Sequence, residues 1–413
     1  MNGVVDVRRT VDAVWRIESG RLIGSLARML RDVGRAEEVA QDTFVAALEQ
    51  WPDRGIPENP AAWMMATARN KAIDLIRREV SREEKYAEVA VELDKATDRD
   101  DDLLSLVFIA CHPVLPQESR VALTLRMVGG LSTDQIARGF LVPSATIGQR
   151  IARAKRTLAE AHTPFEAPAA AELPERLSAV LEVIYLIFNE GYSASSGETW
   201  MRRDLAEEAM RLGRMLTGLL PKEPEVRGLA ALMELQASRF GARTGPDGVS
   251  VLLADQDRSR WDRTLMNHGL AALDVATRLG RPLGPYTIQA AIAACHTRAS
   301  SYEDTDWEAI VSLYDALAQL APSPVVELNR AVALLHADGP EAALEALERI
   351  RSDPRMARYH LFGAVRGDVL THLGRHTEAA DVLEAAAGVA PTQRERNLLM
   401  ERAAAAMDLA DAE

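Results

Sequence analysis

The chain of 413 residues is too long for one ordinary core, so two or three domains are expected. Hydrophobic residues make up 47% and charged residues 26%, and no apolar run is long enough to span a bilayer, which excludes an integral membrane helix protein. The net charge of −13 is uneven: residues 1–165 hold 23 basic and 24 acidic side chains, the remainder 25 and 37, so only the near-neutral front suits DNA.

Aromatic residues are sparse, at 5%, while Ala and Leu dominate, which predicts helices throughout. Two cysteines, Cys111 and Cys295, cannot build a disulfide framework or a cysteine zinc cluster. The opening "MNGVVDVRRTVDAVWRIESG" has no signal-peptide core, so a cytoplasmic location is expected.

In chain order, residues 8–80 predict several helices. "GRAEEVAQDTFVAALEQW" (34–51) turns Ala40, Phe44, Ala47 and Leu48 inward and lines Glu38, Asp42 and Glu49 on the outer side. That acidic stripe is either a solvated face or a dock for a basic surface. "NPAAWMMATARNKAIDLIRRE" (59–79) predicts a second helix with Met65, Ala68, Ala72, Leu75 and Ile76 buried. Asn70 and Arg77 face away, with Lys71 and Arg78 beside them; Trp63 stacks on a base or, more simply, packs in the core. Residues 81–102 hold nine acids against four bases and predict an acidic linker.

Residues 103–160 form a second helical stretch. Ser132 and Gln135 make a Ser-x-x-Gln capping box for a short helix from 133 to about Gly139. Pro143 and Ser144 restart a helix, with Ser144 expected as its cap. Ile147, Ile151, Ala154 and Leu158 make its apolar stripe; Gln149, Arg153 and Arg156 point the other way, with Arg150 on the flank. No acid occurs from Ile136 to Leu158. A short helix, a tight turn and a basic second helix describe a helix-turn-helix, where Arg and Gln suit base edges and other cations suit phosphates.

"HTPFEAPAAAELPE" (162–175) contains three prolines and is the expected domain boundary. "FNEGY" (188–192) ends an apolar run with polar residues, read either as an Asn-Glu cap closed by Gly191 or as a contact surface toward the front of the chain through Asn189, Glu190 and Tyr192. Further on, "EAALEALERIRSDP" from Glu341 and "EAADVLEAAAGVAP" from Glu378 repeat at an offset of 37, with "EAIVSLYDALAQLAP" from Glu308 as an earlier copy. The spacing suggests tetratricopeptide-like helix pairs, against a plain bundle.

Catalytic signatures are missing: there is no phosphate-binding loop, no dinucleotide fingerprint and no zinc-protease motif. "GYSAS" (191–195) misses the nucleophile-elbow pattern at its last residue and sits in a helical context. Cys111-His112 and Cys295-His296 are adjacent pairs, a poor geometry for one metal. No enzyme activity, metal or cofactor is expected.

"AEEVAQDTFVAALEQW", then "NPAAWMMATARNKAIDLIRRE", then "LSTDQIARGFLVPSATIGQRIARAKRTL" resemble, in that order, an extracytoplasmic-function (ECF) RNA polymerase sigma factor over residues 8–160. "CHPVLP" (111–116) and "YLIFNEGYSASSGE" (185–198) resemble the subgroup with a long helical C-terminal extension. The resemblance implies an all-α fold: a region 2-like domain (1–80), the acidic linker (81–102), a region 4-like helix-turn-helix domain (103–160), the Pro/Ala linker (161–175) and a tetratricopeptide-like regulatory extension (176–413).

It also implies partners and roles: core RNA polymerase through its β′ clamp helices and β flap, and promoter DNA, with no membrane. Glu38, Gln41, Asp42 and Phe44 would bind the clamp helices. Asn70 and the loop from Pro52 to Pro60 would capture a flipped −10 base, with Trp63, Lys71, Arg77 and Arg78 nearby. Gln149, Arg150 and Arg153 would read the −35 element, with Lys155 and Arg156 near phosphates. The acidic linker would follow the RNA path, where an anionic chain imitates RNA. Gly148 and Ala152 depart from the bulkier recognition helices of the family. Two readings compete with a sigma factor: a stand-alone helix-turn-helix regulator with a helical-repeat sensor, and a repeat scaffold whose basic helices are incidental.

Overall fold

In the computed structural model every regular element is helical, eighteen α-helices and three short 3-10 turns among the described residues. The structure describes residues 2–80, 99–140, 142–193, 200–243, 245, 251–390 and 393–412. The chain divides into two compact units, Met1–Pro221 with Thr244–Ser250, and Lys222–Arg243 with Val251–Glu413.

The first unit opens with α1 (Asn2–Leu30), α2 (Val33–Arg54) and α3 (Pro60–Val80). Their apolar faces meet around Val11, Ala47, Trp51 and Met64, with Phe44, Leu48 and Trp63 packed against them. Asp32 caps α2 by accepting from the Arg35 amide at 3.0 Å, and Asn59 caps α3 by accepting from the Ala62 amide at 3.0 Å. Of the expected α3 stripe Ala68 and Ala72 are buried, together with Met64, whereas Met65, Leu75 and Ile76 are only half-buried. Helix α2 runs through Pro52 to Arg54, so the loop before α3 is shorter than the expected Pro52–Pro60.

Helix α4 (Arg99–Ala110) begins with Asp100, Asp101 and Asp102 in its first turn, where acids favour the positive end of a helix. The last four residues of the expected acidic linker are therefore helical, and residues 81–98 lie outside the described residues. Next come α5 (Gln117–Met127), α6 (Thr133–Gly139) and α7 (Ser144–Glu160), followed by α8 (Leu173–Ser193) and α9 (Trp200–Leu219). The Pro/Ala segment 161–175 lies inside the first unit, and the division falls at Pro221/Lys222. The physical reason is the apolar surface of the two helices after it. Val180, Val183, Ile184, Ile187 and Phe188 of α8 and Leu205, Ala206 and Ala209 of α9 are all buried. Helix α8 packs on α4 and α5, and α9 on α4 and α6.

The second unit holds α10 (Pro224–Ala237), α11 (Arg263–Arg278), α12 (Pro285–Arg298), α13 (Trp307–Leu320), α14 (Pro324–Ala337), α15 (Pro340–Ile350), α16 (His360–His372), α17 (His376–Gly388) and α18 (Gln393–Ala412). Proline opens α10, α12, α14 and α15, where its missing N–H costs nothing. From α12 onward each helix packs on its chain neighbour. Ile310, Ala343 and Ala380 stand at equivalent positions of the three repeat copies, as do Leu317, Ile350 and Ala387, and all six are buried.

Candidate nucleic-acid interface

The helix-turn-helix is built by capping and by one apolar stripe. Ser132 accepts from the Gln135 amide at 3.2 Å and the Gln135 side chain accepts from the Ser132 amide at 2.7 Å, the reciprocal box expected from sequence. Ser144 does not cap α7; the N-cap is Pro143, and the Ser144 hydroxyl instead donates to Asp134 Oδ1 at 2.6 Å. That bond ties the start of the second helix to the first turn of the first. Ile147, Ile151, Ala154 and Leu158 are the buried residues of α7. Gln149, Arg153 and Arg156 are exposed on the opposite side. Gly148 has open space where a Cβ would stand, so packing does not require glycine there.

The two flanking cations are engaged within the chain. Arg150 Nη2 lies 2.6 Å from Glu118 Oε2 of α5. Lys155 pairs with Glu37 of α2, which also takes Arg126 Nε at 2.6 Å. Burial alone would raise the Glu37 carboxyl, but Lys155 and Arg126 outweigh it and hold the pKa below its ordinary value.

On α2, Glu38, Asp42 and Glu49 are exposed in a line, with Val45 also on that outer surface. Gln41 donates to Glu37 and Phe44 packs edge-on against Trp15 with ring centres 5.0 Å apart, so these two also serve the interior. On α3, Asn70, Arg77 and Arg78 are exposed. Lys71 Nζ donates to the Asp42 carbonyl at 2.8 Å, fastening α3 to α2. Trp63 stands edge-on to Trp51 at 5.4 Å, the packing role.

The "FNEGY" stretch does not cap its helix: α8 continues to Ser193 and Gly191 is buried within it. Glu190 and Leu186 instead border a cavity of about 280 Å³ with Val121, Ile136, Phe140, Ile147 and Arg150. Asn189 and Tyr192 are half-buried, with the Tyr192 ring stacked 5.5 Å from Phe188. The segment 194–199, including the end of the "GYSAS" pattern, lies outside the described residues. Burial pushes the Cys111 thiol up to about 11, and its sulfur sits 3.3 Å from Thr124 Oγ1. Among the described residues no cluster of three metal-ligating side chains occurs, and no helix is long and apolar enough to cross a membrane.

Residues 16–82 match the sigma-70 region 2 family and residues 105–158 the sigma-70 region 4 family, while 176–277 match a family of unknown function, DUF6596. An uncharacterized protein of Rhizobium meliloti (strain 1021), R00370, is 47% identical over 386 residues, 90% of each chain. The chain belongs to the same family as that protein. The ECF RNA polymerase sigma factor SigK of Mycobacterium sp. (strain KMS) is 29% identical over 158 residues, 35% of this chain and 79% of that one. A probable RNA polymerase sigma-C factor of Mycobacterium bovis (strain ATCC BAA-935 / AF2122/97) is 28% identical over 156 residues, 37% of this chain and 78% of the other. The front of the chain is thus an ECF-type sigma-factor core with regions 2 and 4, a non-catalytic transcription module.

Region 2 is built by α1–α3 and region 4 by α4–α7, and the region 4 core is completed by α8 and α9. Arg176 Nη2 donates to the Phe108 carbonyl at 2.9 Å, covering the C-terminal end of α4. Gln117 Nε2 donates to Glu182 Oε1 at 2.9 Å. Leu205 fills the surface over Gly139, where a Cβ would come within 2.7 Å of its Cδ1. Glu208, 3% exposed, holds Arg211 through both oxygens, and Arg211 Nη2 donates to the Val128 carbonyl at 3.3 Å. Sequence reading passed over Glu37, Arg126, Glu208 and the pair Gly20/Gly24; only the glycines carry a local signal, two of them four apart inside a helical stretch.

Proposed function

We propose that this protein is an ECF-type sigma factor that binds core RNA polymerase, directs transcription from specific promoters and is regulated by its own C-terminal extension. The observation that carries the reading is α7, with Gln149, Arg153 and Arg156 exposed opposite a buried stripe, in a unit that also holds region 2. In this reading the exposed Glu38 and Asp42 meet the β′ clamp helices, and region 4 also meets the β flap. Asn70, Arg77 and Arg78 work at the −10 element, and α7 reads the −35 element through Gln149, Arg150 and Arg153, with Lys155 and Arg156 following the backbone. Regulation in cis is supported by α8 and α9, which bury their apolar faces on region 4. The repeated burial positions of α13, α15 and α17 support a tetratricopeptide-like arrangement for the rest of the extension.

Purified full-length chain added to core polymerase is expected to start transcription at discrete promoters on a genomic template library. Polymerase that starts nowhere new, with a chain that still binds duplex DNA, would instead identify a stand-alone regulator.

A further inference from the structure

One face of α8 runs along region 4 for about two turns. Glu182, Leu186 and Glu190 stand four residues apart on it and point the same way. Glu182 is partnered: it accepts from Gln117 Nε2 at 2.9 Å and lies 3.7 Å from Arg120 Nη1. Leu186 and Glu190 instead border the cavity of about 280 Å³ under the helix-turn-helix. Glu190 is half-buried, and it holds no ion pair among the described residues.

The walls of this cavity are apolar. Ile136 of α6 and Ile147 of α7 are its buried part, Phe140 and Val142 come from the turn between them, and Val121 closes the α5 side. The mouth is charged. Glu118, its side chain 70% exposed, stands 2.6 Å from Arg150, and Glu190 adds a second carboxylate. Two carboxylates against one guanidinium leave the rim negative. Apolar walls with a few fixed polar groups are the usual make-up of a small-molecule site. An engineered cavity of about 150 Å³ holds benzene, so about 280 Å³ holds a body of about ten heavy atoms. The rim decides its charge. An anion would meet both carboxylates. A neutral body would strip water from Glu190 and give it no partner, which costs free energy. An ammonium supplies the missing counter-charge.

We propose that this cavity is the binding site of a small hydrophobic amine, its apolar body under the turn of the helix-turn-helix and its ammonium on Glu190. The inference deepens the reading of a chain regulated by its extension and rests on that reading for its consequence: one ligand would touch Ile147 and Arg150 of the recognition helix and α8 of the extension together. Binding itself is testable without polymerase.

The test titrates the full chain calorimetrically with 2-phenylethylamine, with the neutral 2-phenylethanol and with the anionic 3-phenylpropionate, three probes of nearly the same shape. The amine is expected to bind at a single site about tenfold more tightly than the alcohol, the worth of one charge-assisted hydrogen bond, and the propionate is expected not to bind. Glu190→Gln should weaken the amine to the level of the alcohol and leave the alcohol unchanged. Leu186→Phe and Val142→Phe each put a ring into the cavity from a half-buried position and should abolish binding of both, with circular-dichroism melting as the check on folding. If neither ring variant folds, Glu190→Gln still decides, because it removes only a charge. No amine binding at millimolar concentration overturns the site. Amine binding that survives both folded ring variants lies elsewhere and overturns it equally. Equal affinities for amine and alcohol, or an amine affinity unmoved by Glu190→Gln, overturn the amine as the ligand class. Amine binding as expected in a chain that starts no transcription with core polymerase counts against the sigma-factor reading alone.

Discussion

Leu205→Ala tests whether the extension holds the helix-turn-helix. Leu205 is 2% exposed and lies over Gly139, the last residue of α6. The substitution removes three carbons, about 2.4 kcal/mol at about 0.8 kcal/mol each. Gly139 carries no side chain that could move into the space, so a cavity remains and adds about 1 kcal/mol more. The total of about 3.5 kcal/mol should appear in urea denaturation of the first unit within the full chain. Leu320→Ala, at a site 54% exposed, is the control and should stay within about 0.5 kcal/mol of the parent. Hydrogen exchange should locate the loss: amides of α6 and of the turn into α7 should exchange faster, those of α2 and α3 much less. A cost under about 1 kcal/mol, or faster exchange confined to α9, would refute the claim that this side chain supports the recognition unit.

Arg153→Ala should cost about 1–3 kcal/mol on the cognate −35 element and relax its specificity; equal loss on every duplex would reassign Arg153 to a phosphate. Reversing Glu38 and Asp42 to lysine should abolish co-purification with core polymerase while circular dichroism stays unchanged, because both side chains are exposed; retained co-purification removes this face from the interface. Burial, then Arg239 and Arg258, lower the His296 pKa to about 4. The folded state thus prefers the neutral ring: the stability it gives is complete above about pH 6.5 and is lost as pH falls toward 4, about 3 kcal/mol at most. His296→Gln should flatten that part of the stability profile, and an unchanged profile would place the loss elsewhere. Ending the chain after Thr163 should destabilise region 4 by uncovering the faces that α8 and α9 bury, whereas ending it at Pro221 keeps them; equal melting temperatures for the two fragments would contradict this.

What the sequence discloses is local. The Ser132/Gln135 box, the α7 stripe and the outward acids of α2 are each set by spacing within one helix, and all appear as expected. The inner face of α3 keeps Ala68 and Ala72 as expected but takes Met64 in place of the chemically equal Met65, with Met64 in the cluster around Trp51. At 161–175 the matched families do change, one ending at 158 and the next beginning at 176, yet the packing runs on to Pro221. Proline and alanine mark a break in the chain, but a break in secondary structure does not end a core. Helix α8 reads as a strongly apolar helix in any case, and nothing in its own residues says whether its partner lies before or after the linker. Glu37 was illegible for a similar reason: one helix position separates it from the exposed Glu38, and its two cationic partners come 89 and 118 residues later.

The loop from Val128 to Leu131 brings these separate findings together. It leads into α6, so its conformation sets where the helix-turn-helix begins. Region 2 reaches it through Trp15, which donates to the Gly130 carbonyl, and the extension reaches it through Arg211, which donates to the Val128 carbonyl. Arg126 closes the set, with Nε on Glu37 and Nη1 on the Leu131 carbonyl at 3.1 Å. Three consecutive segments of the chain thus spend hydrogen bonds on four residues. Gly129 and Gly130 suit such a junction: a Cβ on Gly129 would stand 3.0 Å from Glu208 Oε1, and a Cβ on Gly130 would stand 2.6 Å from Ser19 Oγ. A displacement of α9 that pulls on Val128 acts on the same short backbone that carries the Trp15 bond and the Arg126 bond to Leu131. Region 2, region 4 and the extension therefore meet on one short backbone segment, so a shift in any of the three is felt at the start of α6.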